Sequence, residues 1–460
     1  MTKFRTALKI SKLVSMGLKL FKFEATSFPG KIVQKFHPNF LKECNEYVSH
    51  PRFAITGTNG KSTTSTLLSE ILTCAKQKVI NNNLGANMPN GIVTALSNGL
   101  YSYKKADSVV LECDEAYFSH ISSKFVFDYI LVTNLFNDQL DRYGGLNVAR
   151  EKIIKGIELN PDIKIILNAD DSNLYEITNK LSHNKDNFIY FGVEEVNYLD
   201  FENQPTIKEE VNYCPVCGEK LSYKKRYYAQ VGNFECSCGA KRQNLDIKAK
   251  IIVYPNKSVL DVNYKNETYT FNTKLTGLYN AYNVLGAITC ALIEGIEPNI
   301  IQEALSNYSP LFGRHQKVKL NNGGTMILHL IKNPVGASEV LKNLKGLKNS
   351  KMLIALNDNY ADGRDVSWIW DTNFEYISDF NNVIYVTGKK SSDMASRLKG
   401  ANINQDLIEV FDSTEKVSIS LEYALSELQD KEDLVVLTCY TGLLDINKNL
   451  NKLLKKYGAK

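Results

Sequence analysis

The sequence predicts an α/β protein of two α/β domains, the first with a mostly parallel sheet and a small cysteine-bearing insert. Three observations predict it. Strand-like apolar runs alternate with helix-length segments, as parallel strands covered by helices on both faces require. "RFAITGTNGKSTTSTLLSEIL", residues 52–72, reads as strand, glycine turn and helix. A second strand series begins after residue 320, beyond a stretch with a different rhythm. At 460 residues the chain also exceeds one ordinary core, so two or three domains are expected.

Taken in order, Phe4, Leu8, Ile10, Val14, Leu18 and Phe21 recur at helical spacing in the N-terminal segment. Lysines 3, 9, 12, 19 and 22 break every apolar run there, so the segment lacks a signal-peptide core. It reads as an amphipathic helix, either docked on the protein's own body or resting on an anionic membrane face. After the glycine turn come "SVVLEC", "YILVTN", "IKIILNA" and "NFIYFG", four buried strands separated by helices. Residues 197–275 break the rhythm: a cysteine cluster, then "IKAKIIVYP", "SVLDVNYKN" and "ETYTFNTKL", which alternate like antiparallel strands. A helix over "GLYNAYNVLGAITCALIEGI" is expected to end near Pro298, and "YSPLFGRHQKV" to be an interdomain linker. "TMILHLIKN", "KMLIALND", "NVIYVTG" and "DLVVLTC" then supply the strands of a second α/β domain. The expected division is a helical segment over 1–48, a central domain over 49–308 with an insert at about 205–245, and a C-terminal domain over 309–460.

The bulk numbers exclude some classes. With 43% hydrophobic and 23% charged residues the composition is that of a globular protein, and no apolar run approaches the ~18 residues of a membrane span. Lys and Arg total 55 against 50 Asp and Glu, a mild excess that does not argue for a nucleic-acid partner. Four of nine cysteines cluster, at Cys214, Cys217, Cys236 and Cys238, and the rest are scattered. That pattern indicates a metal site in a reducing compartment rather than a disulfide framework. "CPVCG" and "CSCG" pair a CxxC with a CxC, and each glycine allows the tight turn of a zinc knuckle. Four thiolates make a closed tetrahedral Zn²⁺ site, which is structural rather than catalytic.

In "GTNGKST" the backbone of Gly57, Thr58, Asn59 and Gly60 can curl around a phosphate. Lys61 supplies charge to the outer phosphates, and Ser62 can place its hydroxyl on Mg²⁺, with Thr63 following at the helix start. The generic GxxxxGK[ST] pattern would need glycine at Ile55, so the match is incomplete. Mg²⁺ needs a carboxylate nearby, and "SVVLECDEA" offers Glu112, Asp114 and Glu115 at the end of a buried strand. Glu112, directly after an apolar run, is the favoured ligand. "TNLFNDQLDRYG" sets Asn134, Asp138 and Asp141 just past the next strand.

The glycine loop, Glu112, "TNLFNDQLDRYG", "LNADD" and "GLYNAYNVLGA" fall in the order seen in Mur ligases and folylpolyglutamate synthases, ATP-dependent enzymes that form amide bonds. The chain resembles that family throughout. The resemblance implies a Mur ligase central ATPase domain with an inserted four-cysteine zinc ribbon and a smaller α/β C-terminal domain. Departures point to one branch. Roughly fifty residues precede the loop, too few for a uridine-nucleotide domain, and Gln139 and Tyr143 replace the histidines usual in the third motif. With "HLIKNPVGASEVL", "LNDNYADGRDVSWIWD" and the cysteine insert, the chain resembles the MurT family.

That resemblance implies ATP and Mg²⁺ as cofactors beside structural Zn²⁺, with Asn134 and Asp138 organising the site and Asn280 and Asn283 approaching adenine and phosphates. It implies that Arg314 reaches the nucleotide when the C-terminal domain closes, and that Lys152 stands near the place of a carbamylated lysine. The implied reaction is amidation of the D-glutamate α-carboxylate of lipid II through an acyl phosphate, in cell-wall peptidoglycan synthesis at the cytoplasmic face of the membrane. No cysteine here has the setting of a glutaminase nucleophile, so the resemblance implies a separate GatD-type subunit as ammonia source. Asp365 would then complete that partner's Cys–His pair, ahead of Asp358 and Asp362, and Lys332, Asn333 and Pro334 would border the acceptor or ammonia route. Two other readings compete: an amino-acid-adding ligase of the folylpolyglutamate type, and a nucleotide-switched module whose zinc ribbon grips nucleic acid.

Overall fold

Nine strands form one sheet, in which central strands such as Arg52–Thr56 and Ser108–Glu112 are buried throughout while Ile247–Val253 and Glu267–Thr273 mix buried and exposed residues. The structure is a computed structural model that describes residues 3–20, 26–82, 86–136, 145–199, 212–309, 314–345, 347 and 349–459, and of residues 19, 182–184, 314 and 315 the backbone alone. Its chain falls into two units, the second comprising essentially the residues from Ser309 onward.

In the first unit the strands are β1 (Arg52–Thr56), β2 (Val79–Asn81), β3 (Ser108–Glu112), β4 (Tyr129–Val132), β5 (Lys164–Asn168), β6 (Phe188–Tyr198), β9 (Ile247–Val253), β10 (Ser258–Tyr264) and β11 (Glu267–Thr273), in the order β11-β10-β9-β6-β5-β4-β1-β3-β2. Neighbours from β2 to β9 are parallel, and β9, β10 and β11 are antiparallel. The antiparallel reading of 247–273 therefore holds, but these strands extend the central sheet, because β9 pairs with β6. Every residue of β1 and β3 is buried, beneath helices that include α4 (Lys61–Cys74) and α5 (Pro89–Tyr103). From β1 the chain winds through β2 to β3 on one side and then crosses to β4 on the other. That reversal leaves a crevice at the carboxyl ends of β1, β3 and β4, where open α/β sheets bind ligands.

Three N-terminal helices, α1 (Lys3–Leu20), α2 (Phe28–Phe36) and α3 (Phe40–Cys44), pack onto this unit. Phe4 stacks at 5.0 Å on Phe40 and 4.4 Å on Tyr47, and Ser11 Oγ lies 2.6 Å from Ser97 Oγ of α5. The docked reading of α1 thus holds for its inner face, and its outer face carries Arg5, Lys9, Leu13, Met16 and Leu20. Among the described residues no helix is long and apolar enough to cross a membrane.

Between β6 and β9 lies the insert, with the hairpin β7 (Ser222–Tyr228) and β8 (Val231–Glu235); residues 205–211 of its expected span lie outside the described residues. Further helices are α6 (Phe118–Ser122), α7 (Leu146–Glu158), α8 (Tyr175–Lys180), α9 (Leu278–Ile293) and α10 (Pro298–Asn307). The helix expected to end near Pro298 stops at Ile293. Gly295 takes φ 72°, and Pro298 opens the next helix, where its missing N–H costs nothing.

The second unit has β12 (Arg314–Lys319), β13 (Thr325–Leu330), β14 (Ser350–Ala355), β15 (Ile384–Thr387), β16 (Ile408–Val410) and β17 (Asp433–Thr438), ordered β12-β13-β17-β14-β15-β16. All neighbours are parallel except β12 with β13. The expected linker is therefore half strand: Arg314–Lys319 pairs with β13, which satisfies its backbone, while 310–313 lie outside the described residues. Helices α11 (Pro334–Asn343), α12 (Trp368–Asp371), α13 (Ser391–Gly400), α14 (Val417–Ser426) and α15 (Tyr440–Tyr457) complete the unit. Leu353, Val436, Leu421 and Ile446 are fully buried in its core.

Candidate active site

At the end of β1 the chain must turn inside a packed crevice, which is why two positions are glycine. Gly57 has φ 123°, and a Cβ there would sit 2.3 Å from Thr133 Oγ1; Gly60 has φ 85°, and a Cβ there would sit 1.9 Å from Asn283 Oδ1. The loop is pinned from the end of β4. Thr58 N donates to Asn134 O at 2.9 Å, Asn59 N to Asn134 Oδ1 at 2.9 Å, and Asn134 Nδ2 to Asn59 O at 3.0 Å. The N-cap of α4 is Gly60, which has no side chain to cap the helix, and the first residues Lys61, Ser62 and Thr63 are buried in the crevice. A positively polarised helix start behind a glycine turn is an anion site.

Lys61 is 7% exposed, and its Nζ lies 3.1 and 3.0 Å from the two carboxylate oxygens of Glu115. It also donates to Gly57 O and to Thr58 O. Burial pushes the ammonium down, but Glu115, then Asp114 and Glu112, outweigh that and hold it above its ordinary value. Lys61 is a charged cation directly beside the loop.

Glu112, 3% exposed, ends β3. Its backbone N–H donates to Asn82 Oδ1 at 2.8 Å, and Asn87 Nδ2 donates to its Oε1 at 2.9 Å. Oε2 is buried with no hydrogen-bond partner among the described residues. Such an oxygen is costly to bury unless a cation takes it up, and a hard carboxylate oxygen suits Mg²⁺. Glu112 therefore fits the metal, and Ser62 stands buried in the first turn of α4. For Glu112→Gln, the Mg²⁺ concentration that supports half-maximal nucleotide turnover is expected to rise ~10-fold or more. An unchanged Mg²⁺ titration would remove Glu112 from this role.

The structure brings Gly57–Thr63, Glu112, Asn134 and Asn283 together. Asn283 O accepts from Thr64 Oγ1 at 3.3 Å, while Asn280, one turn earlier in α9, donates to Thr276 O at 2.8 Å. Asp138, Gln139, Asp141 and Tyr143 lie outside the described residues, as does the side chain of Arg314. Lys152 is exposed on α7, whose buried cation is Arg150, paired with Glu176. Solvation of Lys152 favours the reading of an ordinary helix-surface lysine.

Sequence reasoning gave no role to Asp170 and Asp171, although adjacent carboxylates after an apolar strand were the visible signal. Asp170, fully buried, accepts from Tyr282 Oη and Val193 N, each at 2.7 Å, and its Oδ1 lies 2.6 Å from Arg242 Nε. Asp171 accepts from Leu135 N at 2.7 Å and from Gln230 Nε2 at 3.0 Å. Burial pushes its carboxyl up to about 6 from 3.8, against the lowering effect of those donors. A raised acid stabilises the fold fully below its unfolded pKa and loses that contribution as pH rises through the folded one. Between about pH 4 and 6 the loss is about 3 kcal/mol. Asp171→Asn is expected to flatten that part of the stability profile in urea titrations; an unchanged slope would contradict the assignment.

The four cysteines converge. Their sulfurs all lie within 4.8 Å of one another, with Cys214–Cys238 at 3.7 Å and Cys217–Cys236 at 3.5 Å. A tetrahedron with ~2.3 Å Zn–S bonds has edges of about 3.8 Å, so the set fits zinc. Gly218 at φ 79° and Gly239 at φ 90° make the two knuckle turns. The Cys238 backbone N–H, above all, draws the Cys236 thiol down to about 7, toward the thiolate that a metal needs.

In the second unit the acidic segment follows β14. Asp365 is exposed and accepts from Ser367 N at 2.8 Å; the Ser367 hydroxyl and N–H hold its carboxyl below the usual range. Asp362 is buried and accepts from Thr441 N at 2.7 Å, so it caps α15, and Asp358 lies 3.8 Å from Lys390 Nζ. Exposed Tyr360 (74%) and Trp370 (56%) flank Asp365 in sequence. Asn333 is buried and caps α11, accepting from Gly336 N at 2.9 Å.

Sheet order, glycine loop and C-terminal domain define the class. The family model for the Mur ligase middle domain matches residues 55–217, and that for the MurT ligase C-terminal domain residues 330–443. Among solved structures, a pseudomurein peptide ligase type C from Methanothermus fervidus superposes with TM-score 0.69 at 22% identity over 92% of this chain and 84% of that one. The MurF ligase from Thermotoga maritima in complex with ADP gives TM-score 0.60 at 13% identity over 93% and 84%. The protein is a C–N bond-forming ligase of the Mur ligase fold. It is 33% identical over 449 residues, 97% of this chain and 98% of the relative, to the lipid II isoglutaminyl synthase (glutamine-hydrolyzing) subunit MurT of Staphylococcus aureus (strain COL). The corresponding subunit of Streptococcus pneumoniae (strain ATCC BAA-255 / R6) is 31% identical over 435 residues, 92% of each chain. The chain belongs to the MurT family.

Proposed function

We propose that this chain is the synthetase subunit of a lipid II isoglutaminyl synthase in peptidoglycan synthesis. The observation that carries the reading is the crevice of a MurT-family chain in which a glycine loop, a buried lysine and a carboxylate with an oxygen unpartnered among the described residues converge. A carboxylate is a poor electrophile, so the D-glutamate α-carboxylate of lipid II attacks the γ-phosphoryl group of ATP to give an acyl phosphate and ADP. Ammonia then adds to the acyl carbon; phosphate leaves, a proton is lost and the amide remains. The loop N–H groups and α4 hold the phosphates, and Lys61 exchanges Glu115 for the phosphate oxygens. Glu112 and Ser62 would hold Mg²⁺, which supplies charge neutralisation in a step governed by positioning. Asn134 fixes the loop, and Asn283 lines it; Asp138, Asn280 and Arg314 are assigned to the nucleotide by family analogy.

Ammonia is scarce as free base at neutral pH, so a GatD-type glutaminase subunit is the proposed source. Exposed, ionised Asp365, flanked by exposed aromatics, suits a residue that orients a partner's histidine. Cys214, Cys217, Cys236 and Cys238 would hold Zn²⁺ as a structural crosslink. Elemental analysis is expected to find one zinc per chain, lost in Cys214→Ser with a lower melting temperature; a metal-free wild type would contradict the site. The outer face of α1, two cations followed by three apolar side chains, suits an anionic membrane surface, where lipid II resides. Co-purification with a candidate glutaminase, then mass spectrometry of lipid II with ATP and glutamine, tests the whole reading.

A further inference from the structure

The β7–β8 hairpin of the cysteine insert ends at Ala229 and Gln230, and this tip is buried in the first unit. Gln230 is 7% exposed. Its Nε2 donates to Leu135 O and to Asp171 Oδ1, each at 3.0 Å, while Leu135 N donates to Asp171 Oδ2 at 2.7 Å. Both backbone polar groups of Leu135 are thus held in one closed ring of hydrogen bonds. On one side of Leu135, Asn134 grips the backbone of Thr58 and Asn59. On the other, Phe136 N donates to Thr58 Oγ1 at 3.0 Å. A second route runs through rings: Tyr228 of the hairpin lies 6.3 Å from Phe136 and 5.7 Å from Tyr282, whose neighbour Asn283 abuts Gly60.

An insert needed only for its own stability would bury an apolar residue at its tip. This tip instead spends a polar side chain, with both amide hydrogens committed, on the segment that shapes the phosphate loop. We propose that Gln230 is a positioning residue for the nucleotide site, through which the cysteine module sets the conformation of residues 134–136 and hence of Gly57–Gly60. The inference rests on the reading of that loop as the nucleotide site.

The test measures Mg·ADP binding by calorimetry on the full chain with its glutaminase, with zinc content and melting temperature recorded for each variant. Gln230→Met keeps the volume without the donors and is expected to bind Mg·ADP about tenfold more weakly, with zinc retained. KM for ATP should rise while kcat changes less than about twofold, and amide exchange at Leu135 and Phe136 should accelerate. Gln230→Ala serves as the second variant should Met distort the tip. Lys61→Ala separates the two ideas: if it weakens Mg·ADP while both Gln230 variants bind normally, the positioning role is wrong and the nucleotide site stands. If Lys61→Ala itself binds normally, the nucleotide-site reading fails first.

Discussion

Lys61→Ala is expected to abolish the proposed ATP-dependent amidation, with turnover falling at least ~10³-fold while the fold persists. The size follows from what surrounds the ammonium. Glu115, Asp114 and Glu112 all act on Lys61, whose charge offsets theirs. Without it, three carboxylates confront an anionic nucleotide. Arginine is not expected to rescue the loss, because a planar fork does not fit a space built for a point charge against Gly57 O and Thr58 O. Turnover measured beside a melting curve checks the prediction, and normal turnover in the variant would sink the loop assignment.

Asp365→Asn is expected to lower the proposed glutamine-driven amidation by ~10²-fold or more and to leave activity with high ammonia near wild type. The asymmetry is the informative part. Asp365 belongs to the second unit and the phosphate loop to the first, so its loss is expected to affect nitrogen supply and not acyl activation. Asparagine keeps the Ser367 contact but lacks the charge that stabilises an imidazolium. Asp362→Asn behaves differently, because Asp362 caps α15 through Thr441 N. It is expected to lower stability and to reduce both activities together. Equal impairment by Asp365→Asn with either nitrogen source would move that residue to the ligase site.

Features encoded over a few adjacent residues were legible in the sequence. The glycine loop announces itself by a strand, two glycines and Gly-Lys-Ser, and the four-cysteine cluster by cysteine spacing and following glycines. Glu112 was legible because a carboxylate directly after a buried strand has few structural reasons to be there. The preference for Asp365 over Asp358 and Asp362 came from the family resemblance; burial adds that Asp362 is held inside as a helix cap while Asp365 is exposed. Gln230 was invisible: it meets Leu135 from 95 residues away, and its hairpin reads as an ordinary solvated module. The boundary near Pro298 was misread because an apolar run continued toward a proline that in fact opens the next helix. Strand β12 was missed because "RHQKV" lies at a sheet edge, pairs with β13 alone and carries little apolar signal.

The central claim is that the chain activates a lipid II carboxylate for amidation by partner-derived ammonia. Its most direct test is mass spectrometry of lipid II incubated with the chain, a GatD-type glutaminase, ATP and Mg²⁺, with glutamine as the nitrogen source. The account predicts a carboxyl-to-amide conversion at the D-glutamate, dependent on ATP and on both subunits, with ADP and phosphate formed in equal amounts. Lipid II that stays unamidated, or that instead gains an added free amino acid in amide linkage, would contradict it.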